Sequence, residues 1–233
     1  MGRVADHRGA VRSLAGPALA TALAFAILVA LGVWQVERLH WKEGLLASIA
    51  QGEAAPPVPL AEAPTPFSKV ELAGTLRDVG YYGIDVRVTP AGEQEGAFRL
   101  GVVERPGSLP VLVNEGWVPD GTPLDGAPRP ARIVGYVLPP TPPGAFTPKG
   151  DAGTKHFYAE DPASVGAVLG LPRLAPFVVV ALGDAVPGVF PQPAQHLPEP
   201  PNNHFQYALT WFALAAALLV VFATYARGKV RAA

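Results

Sequence analysis

The sequence predicts a membrane protein: two transmembrane α-helices flanking a β-rich extracytoplasmic domain, an antiparallel barrel or sandwich, with one short helix. Three observations carry this. Ser13 to Val36 is uncharged, and so is Pro200 to Ala226. Each run reaches the roughly 20 residues a helix needs to cross a bilayer. The stretch between them breaks into short runs of alternating apolar and polar residues separated by Gly, Pro and Asp, the pattern of strands.

Charge gives the orientation. The chain carries 18 Lys and Arg against 19 Asp and Glu. Residues 1–12 hold Arg3, Arg8 and Arg12 against Asp6, and residues 227–233 hold Arg227, Lys229 and Arg231 against nothing. The middle is left with 12 basic and 18 acidic residues, a balance of −6. Basic ends around an acidic middle place both termini in the cytoplasm and the domain outside. Cysteine is absent and methionine occurs once, which excludes thiolate catalysis and sites built on Cys or Met sulfur. No basic stripe with interleaved aromatics exists, so nucleic acid is not an expected partner.

Taken in order, the elements are these. Residues 1–12 form a cytoplasmic tail. Residues 13–36 form the first transmembrane helix, which continues as a helix to about residue 50; Pro17 falls near its start, where a first turn tolerates it. A signal peptide is the competing reading, but signal apolar regions run about 7–15 residues, shorter than this one. Residues 51–67 read as a proline-rich linker. The β-rich domain spans 68–185, with strands at Val70–Leu76, Ile84–Val88, Phe98–Val103, Leu109–Val113, Arg132–Leu138 and Pro176–Leu182. Asp161–Gly170 reads as a short helix, with Asp161 capping, Pro162 at its first position and Gly170 closing it. Residues 186–201 are a proline-rich return. Residues 202–226 form the second transmembrane helix, opened by Asn202 or Asn203 as cap, and 227–233 are a cytoplasmic tail.

Two clusters bear on function. His204 lies in the first turn of the second helix, and helical spacing gathers Tyr207 and Trp211 on its face. The positive end of the helix dipole favours a neutral imidazole, the form that binds metal. The plainer reading is an interfacial polar residue beside an aromatic belt. On the first helix Trp34, Gln35, Arg38, Trp41 and Lys42 fall within about a third of the wheel. They form either an aromatic belt with outward cations or a cationic seam facing a partner or an anionic group. His40 lies off that stripe.

Other chemistry is missing from the sequence. There is no glycine-rich phosphate loop and no Gly-x-Ser-x-Gly elbow. The five histidines, His7, His40, His156, His196 and His204, do not form a metal-binding pair on one helix. His156 reads as structural or solvated, and Glu93 and Glu95 share one side of a strand or sit in a turn without an evident partner. Nothing argues for an enzyme.

Three motifs in order, Gly32-x-Trp34-Gln35-x-x-Arg38-x-x-Trp41-Lys42, Val111-Leu-Val-Asn114-Glu-Gly116-Trp117-Val-Pro119 and Asn203-His204-Phe-x-Tyr207-Ala-x-Thr210-Trp211-Phe212, resemble the Surfeit locus protein 1 family. These are assembly factors of haem–copper cytochrome c oxidase, and the likeness covers the whole layout. The family's Asn-Arg-Gly-Trp pattern has an arginine where this chain has Glu115, a reversal of charge. The resemblance implies a membrane protein of the bacterial cell (inner) membrane with a periplasmic domain. It also implies binding of haem A as transient cargo, aid in its insertion into oxidase subunit I, and possible contact with haem A synthase. His204 is then the expected haem-iron ligand, Arg38 or Lys42 the partners of the propionates, and Trp34, Tyr207, Trp211 and Phe212 the apolar groove, with Gln35 beside them. The alternative is a haem-free structural scaffold that holds subunit I during maturation.

Overall fold

A computed structural model of the chain describes residues 3–90 and 92–231, and from residue 14 onward their side chains. The side chains of the expected N-terminal tail, including Arg3, Arg8 and Arg12, lie outside the described residues, as do residues 232–233. In chain order, two long apolar helices flank a sheet-rich domain that carries one short helix. The chain divides into two compact units, one comprising residues up to Ala47 with Glu199–Ala233, the other Ser48–Pro198.

The first helix, α1 (Arg3–Ala54), is longer than the apolar run that predicts it. Pro17 therefore lies inside the helix rather than in its first turn. Its missing N–H removes a single hydrogen bond, and the strong helix formers on both sides carry the helix through. The last helix, α3 (His204–Arg231), begins directly after Asn203, with the Asn202 side-chain oxygen accepting from the His204 N–H at 3.5 Å. Both helices are long and apolar enough to cross a membrane.

The sheet-rich unit is built from β1 (Val58–Pro59), β2 (Lys69–Thr89), β3 (Gly92–Glu104), β4 (Val111–Pro119), β5 (Arg129–Leu138), β6 (His156–Phe157) and β7 (Val178–Ala181). The expected strands at 70–76 and 84–88 are the two halves of one 21-residue β2. The hydrogen-bonded path β2–β3–β4–β7–β5 returns to β2, because β2 also pairs with β5. An antiparallel sheet was expected; the sheet is mixed, since β7 runs parallel to β4. Parallel neighbours need a long crossover, and here the chain passes through β5, β6 and α2 (Pro162–Leu169) between them.

One face of the circuit encloses Val70, Leu72, Leu76, Val103, Val111, Val113, Val137 and Val179. On the other face, α2 lays Val165 over Leu100, Val102, Leu112, Phe157 and Val178. The short helix has the ends its sequence specifies. Asp161 accepts from the Ser164 N–H at 2.9 Å, and Gly170 closes the helix at φ 63°.

Candidate functional site

Along α1 the less exposed positions recur at Thr21, Leu28, Gly32, Gln35 and Leu39, and along α3 at His204, Ala208, Trp211, Ala215, Leu218 and Phe222. These are the three- and four-residue steps of one helical face. The two faces meet. A Cβ at Gly32 would fall 2.6 Å from the Phe212 ring, so glycine is what admits that ring against α1. Gln35 contacts His204 while Gly32 meets Phe212, so the two helices run antiparallel.

The contact between Gln35 and His204 is the polar point of this seam. Gln35 is only 9% exposed, and its carbonyl oxygen lies 2.7 Å from the His204 Nδ1. A carbonyl oxygen accepts only, so Nδ1–H is the donor of this contact. In the neutral ring that tautomer leaves the lone pair on Nε2. This is the arrangement by which a second residue fixes the tautomer of a ligating histidine. Buried polar groups need such partners, and Gln35 and His204 satisfy one another across 169 residues of sequence.

The rest of the predicted cluster is spread around the helices. Gln35 and Trp211 lie in the seam with His204. Tyr207 is 55% exposed, and so are Trp34 and Trp41 at 52% and 53%. The expected single stripe on α1 is divided, because 100° per residue carries Trp34, Arg38 and Trp41 past the edge of the buried face. Arg38 lies over the Trp41 ring, 3.8 Å from its centroid, a cation–π contact. Lys42 is half-buried, and His40 is exposed.

In the sheet-rich unit the Asn114-Glu115-Gly116-Trp117 motif proves to be a backbone device. The register of β3 against β4 shifts here, with Arg99 opposite Gly116 and Leu100 opposite Asn114, so Glu115 is bulged out of the ladder. Gly116 adopts φ 121°, and a Cβ there would strike the Gln192 backbone carbonyl. Asn114 braces the bulge by accepting from the Gly116 N–H at 3.1 Å and donating to Glu160 at 2.8 Å. Trp117 is fully buried, and its indole N–H donates to the Asp85 carbonyl at 3.2 Å.

The bulge delivers Glu115 into a buried cluster that sequence reasoning did not find. Arg99 and Arg129 approach the Glu115 carboxylate at 3.2 and 2.8 Å and Asp78 at 3.5 and 2.7 Å. Burial pushes the Glu115 carboxyl up to about 7; Arg99 works against this and the neighbouring Asp78 adds to it. Glu160 is likewise raised by burial, with the Asn114 hydrogen bond opposing. A signal for Asp78 was present: it continues the inward positions Val70, Leu72 and Leu76 along β2. His156 Nε2 lies 2.7 Å from the Gly83 carbonyl. His196 Nδ1 lies 2.8 Å from the Leu197 carbonyl.

The similarity to known proteins covers most of the chain. A profile described as the SURF1 family matches residues 22–216, from within α1 to within α3. A SURF1-like protein of Rickettsia conorii is 29% identical over 217 residues, covering 88% of this chain and 89% of that protein. A SURF1-like protein of Rickettsia felis is 27% identical, covering 91% and 97%. The human Surfeit locus protein 1 is 25% identical over 219 residues, covering 80% of this chain and 70% of that protein. The match runs through the seam of His204 and Gln35 as well as the bulge at Gly116, and the chain belongs to the SURF1 family.

Proposed function

We propose that the protein is a membrane-anchored assembly factor for haem–copper cytochrome c oxidase, which binds haem A in transit and aids its insertion into subunit I. It is a binding and handover protein rather than an enzyme. Its partners are subunit I and haem A synthase, and its site is the outer face of a bacterial inner membrane, with α1 and α3 crossing the bilayer. Family membership supports the assembly role. The length and apolar character of the two helices support the membrane reading.

One observation carries the haem reading: the His204 Nδ1–H is committed to Gln35 at 2.7 Å, leaving Nε2 as a free σ-donor. When bound, haem A supplies an iron that takes an imidazole as axial ligand. His204 would hold that iron through Nε2. Gln35 would set the tautomer and ring orientation rather than touch the cargo. Trp211 and Phe212 offer apolar surface beside them, and Arg38 and Lys42 are the cations available to propionates. Deprotonated sulfur ligands play no part, since cysteine is absent.

The test is the visible spectrum of full-length protein purified from cells that make haem A. The wild type is expected to show a Soret band. His204→Ala should lose or shift it at unchanged protein level, and His204→Met should retain part of it, because a thioether also ligates haem iron. Gln35→Ala should weaken haem binding by about 10–100-fold, the usual effect of removing such a supporting partner. A wild-type protein without a Soret band would overturn the haem reading and leave the haem-free scaffold as the assembly role.

A further inference from the structure

The end of the β2–β3 hairpin is built inside out. From Gly83 to Thr89 burial alternates residue by residue, but the apolar residues are on the open side. Ile84, Val86 and Val88 are 59%, 60% and 83% exposed. The polar residues between them, Asp85, Arg87 and Thr89, are half-buried. A strand with one face on a core alternates the other way, apolar in and polar out.

The inward face explains the polar half of this pattern. Arg87 pairs with Asp85 at 2.9 Å and lies 5.4 Å from the Trp117 ring centroid and 5.5 Å from that of Phe98. Thr89 donates to the Gln94 side chain at 3.0 Å. Nothing comparable explains the outward face. Val86 stands directly opposite Glu95 and Val88 opposite Glu93, so two carboxylates share the side of the three aliphatic residues. Both carboxylates are exposed, and neither has an ion-pair partner among the described residues. The hairpin extends past the rest of the sheet, since β3 meets β4 only from Gly96 onward.

We propose that this face is a docking site for a partner protein whose contacting segment carries aliphatic side chains flanked by Lys or Arg. Aliphatic side chains in a row on an open strand face mark an interaction site, and the carboxylates beside them set the sign of the partner. A second copy fits badly: a two-fold contact through this face would bring the Glu93 and Glu95 carboxylates of both copies into one interface, with no cation among the described residues of that face to offset them. A lipid surface fits badly too, because anionic headgroups repel the two carboxylates. This docking face does not depend on haem binding.

The chain has no cysteine, so Pro90→Cys, at the exposed turn of the hairpin, gives a single position for an environment-sensitive fluorophore. The full chain is placed in nanodiscs of zwitterionic lipid and titrated with a short peptide of alternating valine and lysine. A saturable blue shift is expected. Glu93→Lys with Glu95→Lys should weaken the response about tenfold, and Val86→Ser with Val88→Ser should do the same. An unchanged unfolding midpoint in both variants identifies them as surface changes. The proposal is overturned if the lysine peptide gives no shift or if a valine–glutamate peptide acts equally well. It is also overturned if the shift appears without peptide, following either phosphatidylglycerol content, which would mean membrane contact, or protein concentration, which would mean a second copy.

Discussion

Glu115 is reached by two guanidinium groups, yet burial governs its proton. Its carboxyl rises from the ordinary value of 4.5 to about 7, with desolvation the largest cause. The consequence for stability has a definite sign. Below about 4.5 the group is protonated in both folded and unfolded chains and contributes nothing. As pH climbs from there to about 7, the unfolded chain releases its proton first, so the folded state loses stability across that window. Glu160, also raised by burial, acts in the same direction. The wild type is therefore expected to be less stable at pH 8 than at pH 5, and Glu115→Gln should remove much of that difference, on the order of 2–3 kcal/mol. Denaturant unfolding of both proteins at the two pH values measures it. Equal pH dependence in wild type and variant would mean that the arginines, not burial, control the site.

At the scale of elements, α2 has few internal hydrogen bonds and depends on its ends. It spans only Pro162–Leu169 and lays Val165 against the outer face of the sheet. A helix this short is marginal without capping and packing. Asp161 supplies the cap, accepting from both the Ser164 N–H and its hydroxyl. Asp161→Ala should cost about 1–2 kcal/mol, read as a lowered denaturant midpoint with unchanged slope; Asp161→Asn, which can still accept, should recover most of it. The helix pair α1 and α3 depends on small residues instead. Gly32, Ala208 and Ala215 are buried in its seam, where side chains of this size allow close approach.

For the whole molecule, the antiparallel pairing of α1 with α3 brings the start of α1 and the end of α3 to the same end of the pair. The expectation that the basic ends face the cytoplasm and the domain lies outside is tested by labelling. In the cysteine-free chain, Ala145→Cys in the domain should react with a membrane-impermeant maleimide on intact spheroplasts, while Lys229→Cys should react only after lysis. Labelling of Lys229→Cys on intact spheroplasts would reverse the topology.

The amino-acid sequence by itself determined the features that depend on neighbouring residues. Apolar length specified α1 and α3, alternation specified most strands, and Asp161, Pro162 and Gly170 specified α2 together with both its ends. It also singled out His204 and Gln35, each by its place on its own helix. Tertiary structure alone decided what joins residues distant in the chain. It united two expected strands into one β2, turned β7 parallel to β4, and gathered Asp78, Arg99, Glu115 and Arg129 from four strands into one buried cluster. It separated Trp34 and Trp41 from Gln35, because a third of a helical wheel is wider than the strip one neighbouring helix can cover. It also showed that the aliphatic residues of Ile84–Val88 face outward, which alternation cannot reveal: a period of two fixes which residues share a face but not which face meets the core.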